Sequence, residues 1–236
     1  VKPSGVFSLD EMNEARLRGA WAVDPYAANR VAILHFDGAD ASTTFTDVKG
    51  HIFTANGNAQ ITTAQSLFGG ASGLFDGSGA YISTPNSADF NFGTGDFEVE
   101  VAVRFNALPV NTAAVIFSTY DGGAGAWAVE YRNDGGLGNR FCFQIGTTQY
   151  NFAWTPSINT WYRTAVSRSG TALRAFIDGT QIGSTLTNSS NIGNTAPLWI
   201  GALNSSGAAF FFNGWLDEGR VTKGVAPHTA NYTLDA

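Results

Sequence analysis

The chain has 236 residues, 44% of them hydrophobic and 14% charged, with a net charge of −6 and a pI near 4.9. That balance offers no basic field for nucleic acid or an anionic membrane, and no apolar run approaches the ~20 residues of a membrane-spanning helix. A single cysteine, Cys142, excludes an internal disulfide, so packing must hold the fold.

Residues 1–29 read as an arm. Ser8-Leu9-Asp10-Glu11 fits a capping box, Arg16 and Arg18 suit the last turn, and Gly19 suits the cap that ends it. The pattern predicts a helix over Leu9 to Arg18. A helix this short is marginal alone, so Phe7, Leu9, Met12, Leu17 and Trp21 are expected to anchor it, on its own domain or on a neighbour.

From Arg30 onward the chain reads β. Val31–Phe36 is a first strand, Asn58–Thr63, Gly73–Phe75 and Tyr81–Ser83 are short ones, and Asp76-Gly77-Ser78-Gly79 is a turn. Asp96–Phe105 alternates strictly: Phe97, Val99, Val101, Val103 and Phe105 are apolar, while Glu98, Glu100, Ala102 and Arg104 are charged or small. This predicts a central strand with one buried and one open face. Ala114–Tyr120, Ala126–Arg132, Arg140–Ile145, Tyr150–Trp154, Thr160–Ser167 and Ala172–Ile177 follow, with Cys142 an inert buried thiol. Asp178-Gly179 is a strong hairpin signal, since this pair accepts positive φ. Gln181–Leu186, Leu198–Gly201, Phe210–Phe212 and Trp215–Val221 complete an all-β, two-sheet antiparallel jelly-roll sandwich over residues 30–225, with a tail at 226–236.

Three segments in order carry a resemblance. They are Gly73-Leu74-Phe75-Asp76-Gly77-Ser78-Gly79-Ala80-Tyr81-Ile82 with the strand after it, Asn159–Arg168 running on to Ile177-Asp178-Gly179, and Leu198–Gly201 followed by Phe212–Val221. Together they resemble the laminin-G-like, concanavalin A-like lectin jelly roll. Gly5–Glu11 and Tyr232-Thr233 resemble segments that flank this domain in tailed-bacteriophage structural proteins. Two positions depart from the family: Ala80 stands where an acidic residue often follows the turn, and Gly219 where an apolar one is usual. The glycine implies a gap or a close backbone approach in the last strand.

The resemblance raises a glucanase-like reading of Glu98 and Glu100, which share a strand face. The continuing positions hold Ala102 and Arg104, and Arg104 is expected to neutralise Glu100, so catalysis is not expected. His35, His51 and His228 form no metal spacing and accompany no nucleophile elbow. No cofactor is required, though Asp37, Asp76 and Asp217 each close a strand where carboxylates and carbonyls suit calcium. Tyr120, Asp121, Trp127, Tyr131, Asn133 and Trp154 supply the aromatic platforms and hydrogen-bonding groups that a sugar needs. The leading expectation is a non-enzymatic phage virion component, a capsid decoration or fibre-type protein made in the host cytoplasm. Its arm would hold other virion proteins or copies of itself, and its jelly roll would stabilise the particle or bind cell-surface glycans. The second is a free, extracellular carbohydrate-binding module, with or without calcium; a glycoside hydrolase comes third.

Overall fold

A computed structural model describes residues 24–204 and 207–234. The expected helix at Leu9–Arg18 and the anchoring residues Phe7, Leu9, Met12, Leu17 and Trp21 lie outside the described residues.

The strands are β1 (Arg30–Leu34), β2 (Phe45–Thr46), β3 (Ile52–Asn56), β4 (Gln60–Thr62), β5 (Ser72–Asp76), β6 (Tyr81–Thr84), β7 (Phe97–Phe105), β8 (Ala113–Ser118) and β9 (Trp127–Arg132). They continue as β10 (Arg140–Ile145), β11 (Thr148–Ala153), β12 (Trp161–Ser169), β13 (Ala172–Ile177), β14 (Thr180–Thr187), β15 (Leu198–Ile200), β16 (Leu203–Asn204), β17 (Ala208–Ala209) and β18 (Asn213–Lys223). The first sheet has the order β14-β13-β12-β7-β18-β5-β4, with β1 also on β18; the second has the order β11-β10-β9-β8-β15-β6-β3-β2. Every pairing within them is antiparallel. The all-β sandwich is therefore as the alternation foretold, and β7 sits at the centre of its sheet. Asp178 (φ 49°) and Gly179 (φ 75°) make the two-residue hairpin between β13 and β14.

The inner faces interdigitate through aromatic rings. Phe97 meets Phe143 at 5.3 Å between centroids, and Phe105 meets Tyr131 at the same distance. Trp127 is fully buried and donates its indole N–H to the carbonyl of Phe90 at 2.9 Å. Arg168, also fully buried, donates to the carbonyls of Gly93, Gly95 and Ser190 and to Asn188 Oδ1, which ties two loops to the end of the sandwich.

Three expectations are corrected. Short strands β2 and β3 form where none was expected, because Phe45 and Phe53, with Ala55 beside the latter, pack on the core while Thr46, Ile52 and Thr54 are exposed. Residues 210–212 are not a strand; the hairpin β16–β17 precedes them instead. The outer face of β7 is open only in part, at Glu100 and Arg104. Glu98 is 0% exposed, and Ala165, Ser167 and Phe176 on neighbouring strands are buried with it, because residues 226–234 lie across this face.

The last strand explains its glycine. Register shifts in β18 between Asp217 and Arg220, with Glu218 at φ 49°. β5 pairs with β18 before this bulge and β1 after it. A Cβ at Gly219 would stand 3.0 Å from the Phe117 ring and 3.3 Å from that of Phe36, so the backbone approaches the core where a side chain has no room.

Candidate functional site

Where the bulge re-aims Glu218 outward, a groove of about 770 Å³ opens on the outer face of the first sheet. Glu100 and Ala102 of β7 lie on its floor, and the smallness of Ala102 between two long side chains makes the depression. Tyr26 and Phe68 line it, and so do His228 and Tyr232 from the C-terminal segment. The guanidinium of Arg163 lies 4.6 Å above the Phe68 ring. Glu218 accepts from Arg220 at 2.8 Å and stands 2.6 Å from His35 Nδ1.

At one end of the groove the charges are interlocked. His228 puts both its backbone N–H (3.0 Å) and its ring Nδ1 (2.9 Å) on the carboxylate of Glu98. Glu100 accepts from Arg30 at 2.9 Å, and Arg30 also donates to Asp24 and Thr222. Arg30, not Arg104, therefore neutralises Glu100. Arg104, four residues further along β7, instead stacks on Trp215 and donates to Asn159. Burial pushes Glu98 up to about 7, offset in part by the His228 hydrogen bond and reinforced by the charge of Glu100. Burial alone would lower the imidazole of His228, yet the hydrogen bond and charge of Glu98 raise it. Each group thus holds its proton more tightly than it would in water. Tyr232 seals the pair, stacked on the His228 ring at 3.5 Å.

Ligand atoms of Glu98, Glu100 and His228 lie within 4.8 Å of one another, the one such trio of acidic and imidazole groups among the described residues. Within it Glu100 is paired with Arg30 and Glu98 with His228. Asp37, Asp76 and Asp217, expected as calcium ligands, do not come together. Asp76 accepts the backbone N–H groups of Ser78 and Ala80 and caps the β5–β6 turn. Asp217 is buried and accepts from the N–H groups of Leu67, Phe68 and Glu218; burial raises it to about 6. Asp37, in the loop after β1, packs against Gly69 of the β4–β5 loop. Asp76 holds a turn, the ordinary work of Asp beside Gly, and Asp217 holds the β4–β5 loop onto the bulge of β18.

The expected sugar-binding residues are also dispersed. Trp127 and Tyr131 are fully buried core rings and offer no surface to a ligand. Trp154 packs edge-on against Tyr131, Phe141 and Tyr162. Tyr120 and exposed Asp121 lie just before β9, whereas Asn133 lies just past its far end, so they occupy opposite ends of the sandwich. Alternation in a doubly covered sheet did not distinguish inward from outward aromatics. The groove residues Arg30, Phe68, Arg163, Glu218, His228 and Tyr232 were missed because their spacing in sequence carries no motif; only Glu98 and Glu100 drew attention beforehand.

The fold and groove define a lectin-like jelly roll with a cleft on one sheet. The family model described as the concanavalin A-like lectin/glucanases superfamily matches residues 76–228, and the chain belongs to that superfamily. No curated protein sequence matches it. Among solved structures, domain 4 of the extracellular GH43 arabinanase AbnA from Geobacillus stearothermophilus, in complex with arabinotriose, has a TM-score of 0.61 at 19% identity. That match covers 84% of this chain and 95% of that one. The binding domain of Paraclostridial Mosquitocidal Protein 1 has a TM-score of 0.62 at 15% identity, covering 84% of this chain and 50% of that one. The binding domain of Botulinum neurotoxin DC in complex with rat synaptotagmin II has a TM-score of 0.60 at 12% identity, covering 85% and 50%. The chain thus spans about half the length of these toxin binding domains.

Proposed function

We propose that this chain is a non-catalytic, lectin-like domain that binds carbohydrate in the groove of the first sheet. The observation that carries this reading is the groove itself, where the rings of Tyr26, Phe68 and Tyr232 stand beside the hydrogen-bonding groups of Glu100, Glu218 and Arg220. A sugar presents apolar C–H faces and a rim of hydroxyls, which such a mixture meets. A neighbour of the same fold solved with arabinotriose supports the ligand class. Glycosidase chemistry needs one carboxyl free to protonate the leaving group and another free to attack or to activate water. Here Glu98 is closed under His228, Glu100 is held by Arg30, and Glu218 is held by Arg220 and His35.

A glycan array followed by calorimetry tests this. At least one glycan is expected to bind, and Ala102→Phe, which fills the floor, is expected to weaken it by about tenfold or more, roughly 1.4 kcal/mol. No glycan bound, or binding unchanged by Ala102→Phe and Phe68→Ala, overturns the groove as the site. Release of reducing ends from polysaccharide that is abolished by Glu98→Gln overturns the non-catalytic reading.

The wider setting in this proposal is the surface of a tailed-bacteriophage particle. Residues 1–29 would dock on other virion proteins or on copies of the chain, and the groove would face cell-surface glycans. The resemblance of Gly5–Glu11 and Tyr232-Thr233 to the flanks of phage structural domains supports it. Deleting residues 1–27 is expected to abolish assembly into particles or oligomers while leaving glycan affinity intact. If assembly is unaffected, a free carbohydrate-binding module replaces the virion setting.

A further inference from the structure

A second surface on this molecule has the chemistry of a sugar site and lies on the opposite sheet. Tyr81 of β6 and Trp199 of β15 stack with centroids 4.2 Å apart and planes within 9°. Both rings are on the solvent side of the second sheet, since Ile82, Leu198 and Ile200 beside them are the fully buried residues. Register places the neighbours. Trp199 pairs with Ser83, Ser83 with Thr54, and Tyr81 with Asn56, so these side chains share one face. Ile52, two residues before Thr54 on the same strand, is 80% exposed at the edge of that face.

Two features separate this face from an ordinary solvated sheet. None of its six side chains is acidic or basic, on a chain of net charge −6 whose groove is crowded with charges. The indole N–H of Trp199 and the hydroxyls of Tyr81, Ser83 and Thr54 have no hydrogen-bond partner among the described residues, and none of these atoms is a buried unsatisfied group. They stand ready for an outside partner.

We propose that this face is a second carbohydrate-binding surface, specific for a neutral polysaccharide chain. The C–H face of a sugar ring lies on the exposed side of the aromatic pair, and the sugar hydroxyls take the indole N–H, the Thr54 and Ser83 hydroxyls and the Asn56 side-chain carbonyl, whose amide nitrogen already donates to the Thr54 carbonyl. The absence of charge leaves an anionic polymer nothing to pair with. Three strands span about 10 Å, which fits about two sugar units of an extended chain. Together with the groove on the other sheet, the face makes the domain bivalent. The inference stands without any ligand in the groove.

Native affinity electrophoresis through gels containing neutral arabinan, xylan, β-glucan or mannan tests it, with polygalacturonate as the anionic control. The tests are run in the Ala102→Phe background, so that the groove does not contribute; Phe68→Ala replaces it if that variant melts early. Retardation by at least one neutral polymer and not by polygalacturonate is expected. Adding Trp199→Ala is expected to weaken retardation at least tenfold. Thr54→Glu, at an exposed position, is expected to do the same without lowering the melting temperature. The proposal is overturned if no neutral polymer retards the groove variant, or if Thr54→Glu and Trp199→Ala leave retardation unchanged. It is also overturned if sedimentation shows that the face joins two copies of the chain and Thr54→Glu separates them.

Discussion

Arg168 shows how much a single side chain organises here. Four acceptors converge on its guanidinium from loops far apart in sequence, and its ring partner is Phe97 at 5.2 Å. Burial lowers its pKa, opposed by the charge of Asp96, and its hydrogen-bond partners are carbonyl dipoles and the Asn188 amide. Arg168→Ala orphans those acceptors and is expected to lower stability by about 3 kcal/mol or more in urea denaturation; Arg168→Lys is expected to restore only part, because an ammonium lacks the planar fork. Asp217 plays the matching role for an anion, holding three backbone N–H groups. Its pKa is raised from 3.8 to about 6, so the folded chain binds this proton more tightly than the unfolded chain does. That contribution is full below pH 3.8 and is lost as pH rises through about 6. Asp217→Asn is expected to remove this slope from stability measured against pH, while Asp217→Ala is expected to cost about 2–3 kcal/mol at any pH.

At the scale of elements, the segment 226–234 is the feature that composition concealed. It is pinned at His228 by Glu98, at its carbonyl by Ser167, and at Tyr232 by Gly179. Gly179 is required there, since a Cβ would fall 2.1 Å from the Tyr232 carbonyl oxygen. Gly179→Ala is expected to lift the segment, seen as faster amide exchange at Tyr232. The pin is also sensitive to pH. Glu98 is raised from 4.5 to about 7 and His228 is raised above 6.5, with Glu100, Arg30 and Tyr232 facing the pair. Both bind protons more tightly in the fold. The contribution of Glu98 is full below pH 4.5 and fades towards about 7, and that of His228 is full below 6.5 and fades above it. Proteolysis within 226–234 is therefore expected to quicken from mildly acidic to mildly alkaline buffer, and Glu98→Gln with His228→Ala is expected to flatten that dependence. A dependence that persists in the double variant would place the titrating groups elsewhere.

For the whole molecule, two of the carboxylates first suspected of binding calcium, Asp76 and Asp217, are taken up by backbone N–H groups, so a chelator is expected to leave the melting temperature unchanged; a drop would mean that a cation helps to hold the fold. What the sequence determined by itself was the sandwich. The period of two in Phe97–Phe105, the Asp178-Gly179 hairpin and the glycine in the last strand are local signals, each written in a few adjacent residues. The pairing that makes the sites is not local. Glu98 meets His228 across 130 residues, and Arg30 meets Glu100 across 70. Trp199 meets Tyr81 only because β15 lies beside β6. Alternation tells which residues share a face, but not which face a later segment will cover. The same polar positions on β7 therefore read as open surface in the sequence, and only tertiary packing made one of them a buried partner of His228 and its neighbours the floor of a groove.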